Sequence, residues 1–159
     1  MSTLLRDKAI LNFDAARILK ETPNYHYCSS IHCSYFSCFQ VVKYIIVEIY
    51  HIDDEAIYTS RKTDPIGTKG GHEYIIELLR RKLIEREEIK DASSFKNKII
   101  ELKSLRTNSD YLAIPIDKTI SDKAYQLADD ITGLLKRIYR YETNWLYWFY
   151  NKISVRKIS

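Results

Sequence analysis

An all-α fold, an antiparallel up-and-down bundle of four to five helices, is predicted by three features of the sequence. Apolar residues return at three- and four-residue steps in every long segment. No segment alternates apolar and polar residues as a half-buried strand would. Only four Gly and three Pro punctuate 159 residues, and a composition 45% apolar and 29% charged suits a loop-poor globular chain. A chain of this length fits a single domain, residues 1–159, with no need of disulfide or metal staples.

The first predicted helix, residues 4–20, brings Leu5, Ala9, Phe13, Ala16 and Leu19 toward one face, sets Arg6, Lys8, Asp14 and Arg17 elsewhere, and ends ahead of Pro23. In the second, residues 24–50, Cys28, Ile31, Tyr35, Phe39, Val42, Ile46 and Ile49 form an unbroken stripe. Its other side carries Ser30, Cys33, Ser37, Gln40, Tyr44 and Glu48, and Lys43 is the only Lys, Arg, Asp or Glu between Asn24 and Val47. A helix with so little charge is expected to be covered on both sides. Its small residues allow another helix to come close, from the same bundle or from a second subunit.

Residues 51–71 are predicted to be a connecting loop, because Asp53, Asp54, Pro65, Gly67, Gly70 and Gly71 all oppose regular structure. A third helix begins near His72, carries Tyr74, Ile75, Leu78, Leu79 and Leu83, and runs into the charged REREEIKD; Glu77 and Arg81 are spaced as a solvated i,i+4 pair. The fourth spans residues 94–112 and stops before Pro115. The fifth starts around Ser121, with Thr119 and Asp122 resembling a capping box, and continues through Ala124, Ala128, Ile131, Leu135, Ile138 and Trp145 toward WLYWFY. Residues 141–159 form an aromatic C-terminal extension. It is too short to span a membrane and is expected to dock on the bundle or on a second subunit.

Lys and Arg number 25 against 21 Asp and Glu, so the net charge of +4 permits an anionic partner without demanding one. No signal-peptide hydrophobic region can be drawn through MSTLLRDKAILNFDAAR and no run reaches spanning length, which predicts a cytoplasmic protein without membrane contact. Cys28, Cys33 and Cys38, odd in number and five apart, read as buried thiols. His26, Cys28, His32 and Cys33 do not converge on one helical face, so neither a metal nor another cofactor is expected. GTKGGH lacks P-loop spacing but enters a helix whose free N–H groups attract anions. Nothing in the sequence suggests DNA sequence recognition.

One residue does not fit. On a wheel of about 100° per residue, Arg106 in LKSLRTNSDY falls about 40° from Leu102, inside an arc otherwise made of Phe95, Ile99, Leu102, Leu105 and Ala113. An arginine there must snorkel out, pair with an acid, or look into a polar cleft. Asp110, one turn on, is placed to hold the guanidinium. Two readings stay open: a structural Arg106–Asp110 pair fastening the helix end, or an anion site in which Arg106, with Asn108, offers donors matched to phosphate. Tyr111 and Ile100 project near the opposite side, which suggests that this helix is covered on a second face.

Three stretches, in order, resemble the HEPN family of small helical domains. They are SSIHCSYFSCFQVVKYII, similar to its Tyr-rich second helix, GTKGGHEYIIELL, similar to its Gly/His-led third, and LKSLRTNSDYLA, similar to its Arg-x-x-x-Asp-Tyr segment. KAYQLADDITGLLKRI resembles the last helix, so about residues 4–140 are covered. The resemblance implies an RNA- or nucleotide-binding bundle, commonly a homodimer, of toxin–antitoxin or defence systems. Many members are metal-independent ribonucleases whose signature is an Arg followed, after four to six intervening residues, by His. Here Arg106 matches, but Tyr111, Leu112 and Ala113 occupy the histidine's places and no His follows His72.

Phenol, with a reference pKa near 10, is a poorer base than imidazole near 6.5. The resemblance therefore implies binding without His-based catalysis. One alternative is a metal-independent ribonuclease using Arg106 and Tyr111, with Asp110, His72 and His32 as supporting residues, a histidine being borrowed from another helix. The other is a non-catalytic partner subunit of a nucleotidyltransferase.

Overall fold

The computed structural model describes residues 4–22, 26–65, 70–112 and 115–140. Among them are six α-helices and no strand: α1 (Leu4–Glu21), α2 (Tyr27–Tyr44), α3 (Asp54–Thr63), α4 (Gly71–Glu85), α5 (Ile89–Tyr111) and α6 (Lys118–Tyr139). A π-helical turn, Ile45–Ile49, prolongs α2. The all-α bundle predicted from periodicity is the observed architecture. Among the described residues no helix is long and apolar enough to cross a membrane. The WLYWFY extension and Trp145 lie outside the described residues.

Helix α2 is the axis of the bundle. Ile31, Tyr35, Cys38, Val42, Ile45 and Ile46 are fully buried along it and join Leu79, Leu83, Phe95, Ile99, Leu102, Ala128, Ile131 and Leu135 of three other helices in one core. The expectation that α2 is covered on both sides holds, and the cover on its small-residue side is α1. Ser30 Oγ donates to the Ala16 carbonyl of α1 at 2.8 Å, and both residues are fully buried. Further along, Asn12 donates to Gln40 at 2.9 Å. The same side receives α6, where the Cys38 thiol reaches the Ala128 carbonyl at 3.6 Å. Of the three cysteines only Cys38 is buried; Cys28, in the first turn of α2, is exposed and Cys33 is intermediate.

Helices α1 and α2, α4 and α5, and α5 and α6 pack antiparallel. Ion pairs Glu73–Lys103 and Glu77–Lys96 order α4 against α5, and Lys98–Asp130, Glu101–Lys123 and Asp91–Arg137 order α5 against α6. Helices α2 and α4 run the same way: His72 packs on Phe39 near the start of α4, while Lys82 lies over the Tyr50 ring beyond the end of α2. The return between them is the segment read as a loop, and it holds a helix. Asp53, taken as a breaker, is the N-cap of α3, its side chain accepting from the Ala56 N–H at 2.8 Å. Asp54 and Glu55 then sit in the first turn, where the helix dipole favours carboxylates.

Other local expectations need correction. Helix α5 starts at Ile89 rather than near residue 94, after a tight turn in which Glu87 has φ 63°. The cap of α6 is Asp117, whose side chain accepts from the Ile120 N–H at 2.9 Å, not Thr119. Glu77 is not surface decoration: it is buried, chelated by Arg80 and bonded to Lys96 Nζ at 2.9 Å, while Arg81 keeps the expected i,i+4 pair with it at 3.8 Å and bonds Asp64 more closely. Those donors hold its carboxyl below the usual carboxylate range against the opposing effect of burial. Finally, the second face of α5 is uncovered among the described residues, since Ile100 and Tyr111 are exposed.

The small residues of α2 separate two effects. Ser30 has a hydroxyl partner, whereas the buried Ser34 Oγ has none among the described residues. Ser30→Ala is expected to lower stability by about 0.5–1.5 kcal/mol, and Ser34→Ala to leave it unchanged or raise it. Urea midpoints at constant m check both; a Ser34→Ala loss as large as that of Ser30→Ala would refute the distinction.

Candidate functional site

Three helix segments meet at one end of the bundle: the first half of α2, the start of α4 and the last turns of α5. Gly70 begins α4 with φ 108°, a left-handed conformation that favours glycine, and this entry delivers His72 and Glu73 against α2 and α5. Antiparallel packing sets the last turns of α5, Arg106 to Tyr111, beside His32 and Phe36 of α2.

Arg106 resolves its anomaly by two of the routes open to it. Its Nε lies 2.7 Å from Asp110 Oδ2, with both side chains 19% exposed. The N–H is not aimed at that oxygen, so the contact is an ion pair without a formed hydrogen bond. The guanidinium also lies over two rings, Phe36 at 5.6 Å and Tyr111 at 5.3 Å from the centroids, and Nη2 donates a long 3.4 Å bond to the Tyr111 hydroxyl. Nη1 is left without a partner among the described residues. The arginine is thus packed on two aromatic rings and keeps one donor edge uncommitted.

The histidine missing from α5 has spatial counterparts on other helices. His32 of α2, half-buried, places Nδ1 3.0 Å from the same Asp110 Oδ2, and its ring tilts on Phe36 at 4.6 Å. A carboxylate on Nδ1 orients the imidazole and leaves Nε2 for a ligand. His72 of α4 stacks on Phe39 at 3.9 Å, and its Nδ1 is 3.0 Å from the Tyr35 hydroxyl. Burial pushes the His72 pKa down, and the Lys103, Arg106 and Lys43 charges push the same way. Burial also pushes the Tyr35 phenol up, although Arg106 opposes it. A phenol kept protonated beside a ring kept neutral supports Tyr35 as the donor to Nδ1.

Of the residues singled out in the sequence, Arg106, Asp110, Tyr111 and His32 form one contacting group. His72 lies beside it, joined through Tyr35, Phe36 and their shared packing. Asn108 does not join. Two positions after Arg106, it projects about 200° round the helix, where i,i+2 side chains do not meet. Sequence reasoning missed Phe36, Tyr35 and Lys103. Phe36 carried a signal: it lies one turn after His32, off the apolar stripe, on a helix otherwise short of polar contacts.

No family model, curated protein or solved structure matches the chain.

A neutral His72 links stability to pH. Because its folded pKa is depressed, the unfolded chain takes up the proton more readily, so acidification through the ordinary histidine range near 6.5 favours unfolding. The melting temperature should fall from pH 7 to pH 5, with a shallower slope in His72→Gln. Parallel slopes for the two proteins would show that His72 protonation is not coupled to folding.

Proposed function

We propose that this end of the bundle binds a phosphate group of RNA or of a nucleotide, with Arg106 as the residue that meets the anion. The observation that carries the reading is the Arg106 guanidinium packed over both the Phe36 and Tyr111 rings, with no hydrogen-bond partner for Nη1 among the described residues. A guanidinium so fixed loses little freedom on binding, and its planar donors match phosphate oxygens. The likeness of LKSLRTNSDYLA to the Arg-bearing segment of HEPN domains supports the same residue. Asp110 already neutralises much of the local charge, as Glu73 does for Lys103. Binding is therefore weak and salt-sensitive. A homodimer in a toxin–antitoxin or defence setting belongs to this proposal through the resemblance alone.

A second reading, metal-independent RNA cleavage, is favoured by the His32–Asp110 contact at 3.0 Å. In it, His32 Nε2 takes the proton of a ribose 2′-hydroxyl as that oxygen attacks the adjacent phosphorus. The P–O5′ bond breaks to leave a 2′,3′-cyclic phosphate, the leaving 5′-oxygen takes its proton from solvent water, and Arg106 balances the charge developing on the phosphate. Imidazole suits this step better than the Tyr111 phenol.

Labelled RNA incubated with the full chain in EDTA tests both. Binding weakened tenfold or more in Arg106→Ala, with a salt slope shallower by about one, is the expected result; equal binding by wild type and Arg106→Ala would remove Arg106 from the site. Cleavage that persists in EDTA and disappears in both His32→Ala and Arg106→Ala establishes the second reading. Absence of both binding and cleavage at modest salt favours a partner subunit instead.

A further inference from the structure

Tyr111 is the least buried aromatic ring at the site. It closes α5, is 69% exposed, and takes the Arg106 guanidinium on one face at 5.3 Å from its centroid. The same guanidinium lies over Phe36, on which His32 also packs. Tyr111 thus joins the cation at the exposed end of the cluster, with the phenol oxygen accepting a long bond from Arg106 Nη2. An exposed tyrosine engaged by a cation offers its ring to another π-system, and it stands directly beside the group proposed to meet phosphate.

We propose that Tyr111 is a base-stacking platform, so that the ligand of this cleft is single-stranded nucleic acid whose unstacked base lies on Tyr111 while a neighbouring phosphate meets Arg106. This rests on the anion-binding reading above and narrows it. In a duplex the base faces are already stacked on one another and cannot reach a ring on a helix end, whereas in a single strand they are free to do so. Stacking on a ring face is indifferent to base identity, so the cleft discriminates strandedness rather than sequence. The ring does the work and the hydroxyl only orients it, which makes phenylalanine an adequate substitute.

The test uses the full chain and three fluorescently labelled ligands of equal length and charge per strand: a single-stranded oligoribonucleotide, its duplex, and a strand abasic at successive positions. Wild type should bind the single strand more tightly than either of the others. Tyr111→Ala should lose about 5- to 100-fold in affinity for the single strand and change little on the abasic strand, while Tyr111→Phe and Tyr111→Trp bind as wild type. The exposure of Tyr111 predicts that all three variants keep the parent melting curve. Duplex binding equal to single-strand binding, or a Tyr111→Ala variant indistinguishable from wild type, overturns the platform. If Arg106→Ala loses affinity in that same series, the anion site stands without it; if Arg106→Ala is also unchanged, both ideas fall together.

Discussion

The structure depends on the burial of α2 from all sides. Between Asn24 and Val47 the helix carries one formal charge, Lys43, and a run of small residues at Ser30, Ser34, Ser37 and Cys38, all fully buried. Small volume lets α1 and α6 come against its backbone, as the Ser30–Ala16 and Cys38–Ala128 contacts record. The larger stripe on its opposite side, Ile31, Tyr35, Val42 and Ile46, fills the space toward α4 and α5. Displacing α2 would remove the inner wall of every other layer. Ser34 shows that size governs here, because its hydroxyl is buried with no hydrogen-bond partner among the described residues and contributes only its smallness.

The same burial creates the site. A helix enclosed along its length must present its few polar residues at its ends or in seams, and His32 and Tyr35 stand where α4 and α5 reach the early turns of α2. Packing supplies what these groups need chemically. Desolvation and nearby cations keep His72 neutral, Tyr35 is kept protonated, and Phe36 and Tyr111 both pack against the Arg106 guanidinium. Asp110 is the shared hinge of the arrangement, since one oxygen of its carboxylate faces both Arg106 and His32. Glu77 performs a comparable duty one layer away, joining α4 to α5 from a buried position.

How much of this was legible in the sequence depended on the range of the interaction. The long helices follow from three- and four-residue periodicity, and Arg106 stands out because its own wheel marks it as misplaced. Its pairing with Asp110 is likewise local. Caps were less readable: Asp53 and Asp117 are ordinary turn residues until backbone geometry turns a side-chain oxygen toward an N–H three residues on. Glu77 looked like half of a surface pair because spacing names the neighbours within a helix and says nothing of Lys96 on the next one.

By itself the sequence determined the all-α class, the two-sided cover of α2 and the one arginine that needed an explanation, because each is marked by a pattern of residues within a few positions along the chain. Only the tertiary structure decided that His32, 78 residues from Asp110, and His72, 37 residues from Tyr35, would stand beside that arginine. The α5 helix lacks a histidine after Arg106, and its spacing pointed away from imidazole chemistry. The bundle places two imidazoles there from other helices. Which side chains share a cleft is set by helix packing and direction, and neither is written in the period of a single helix.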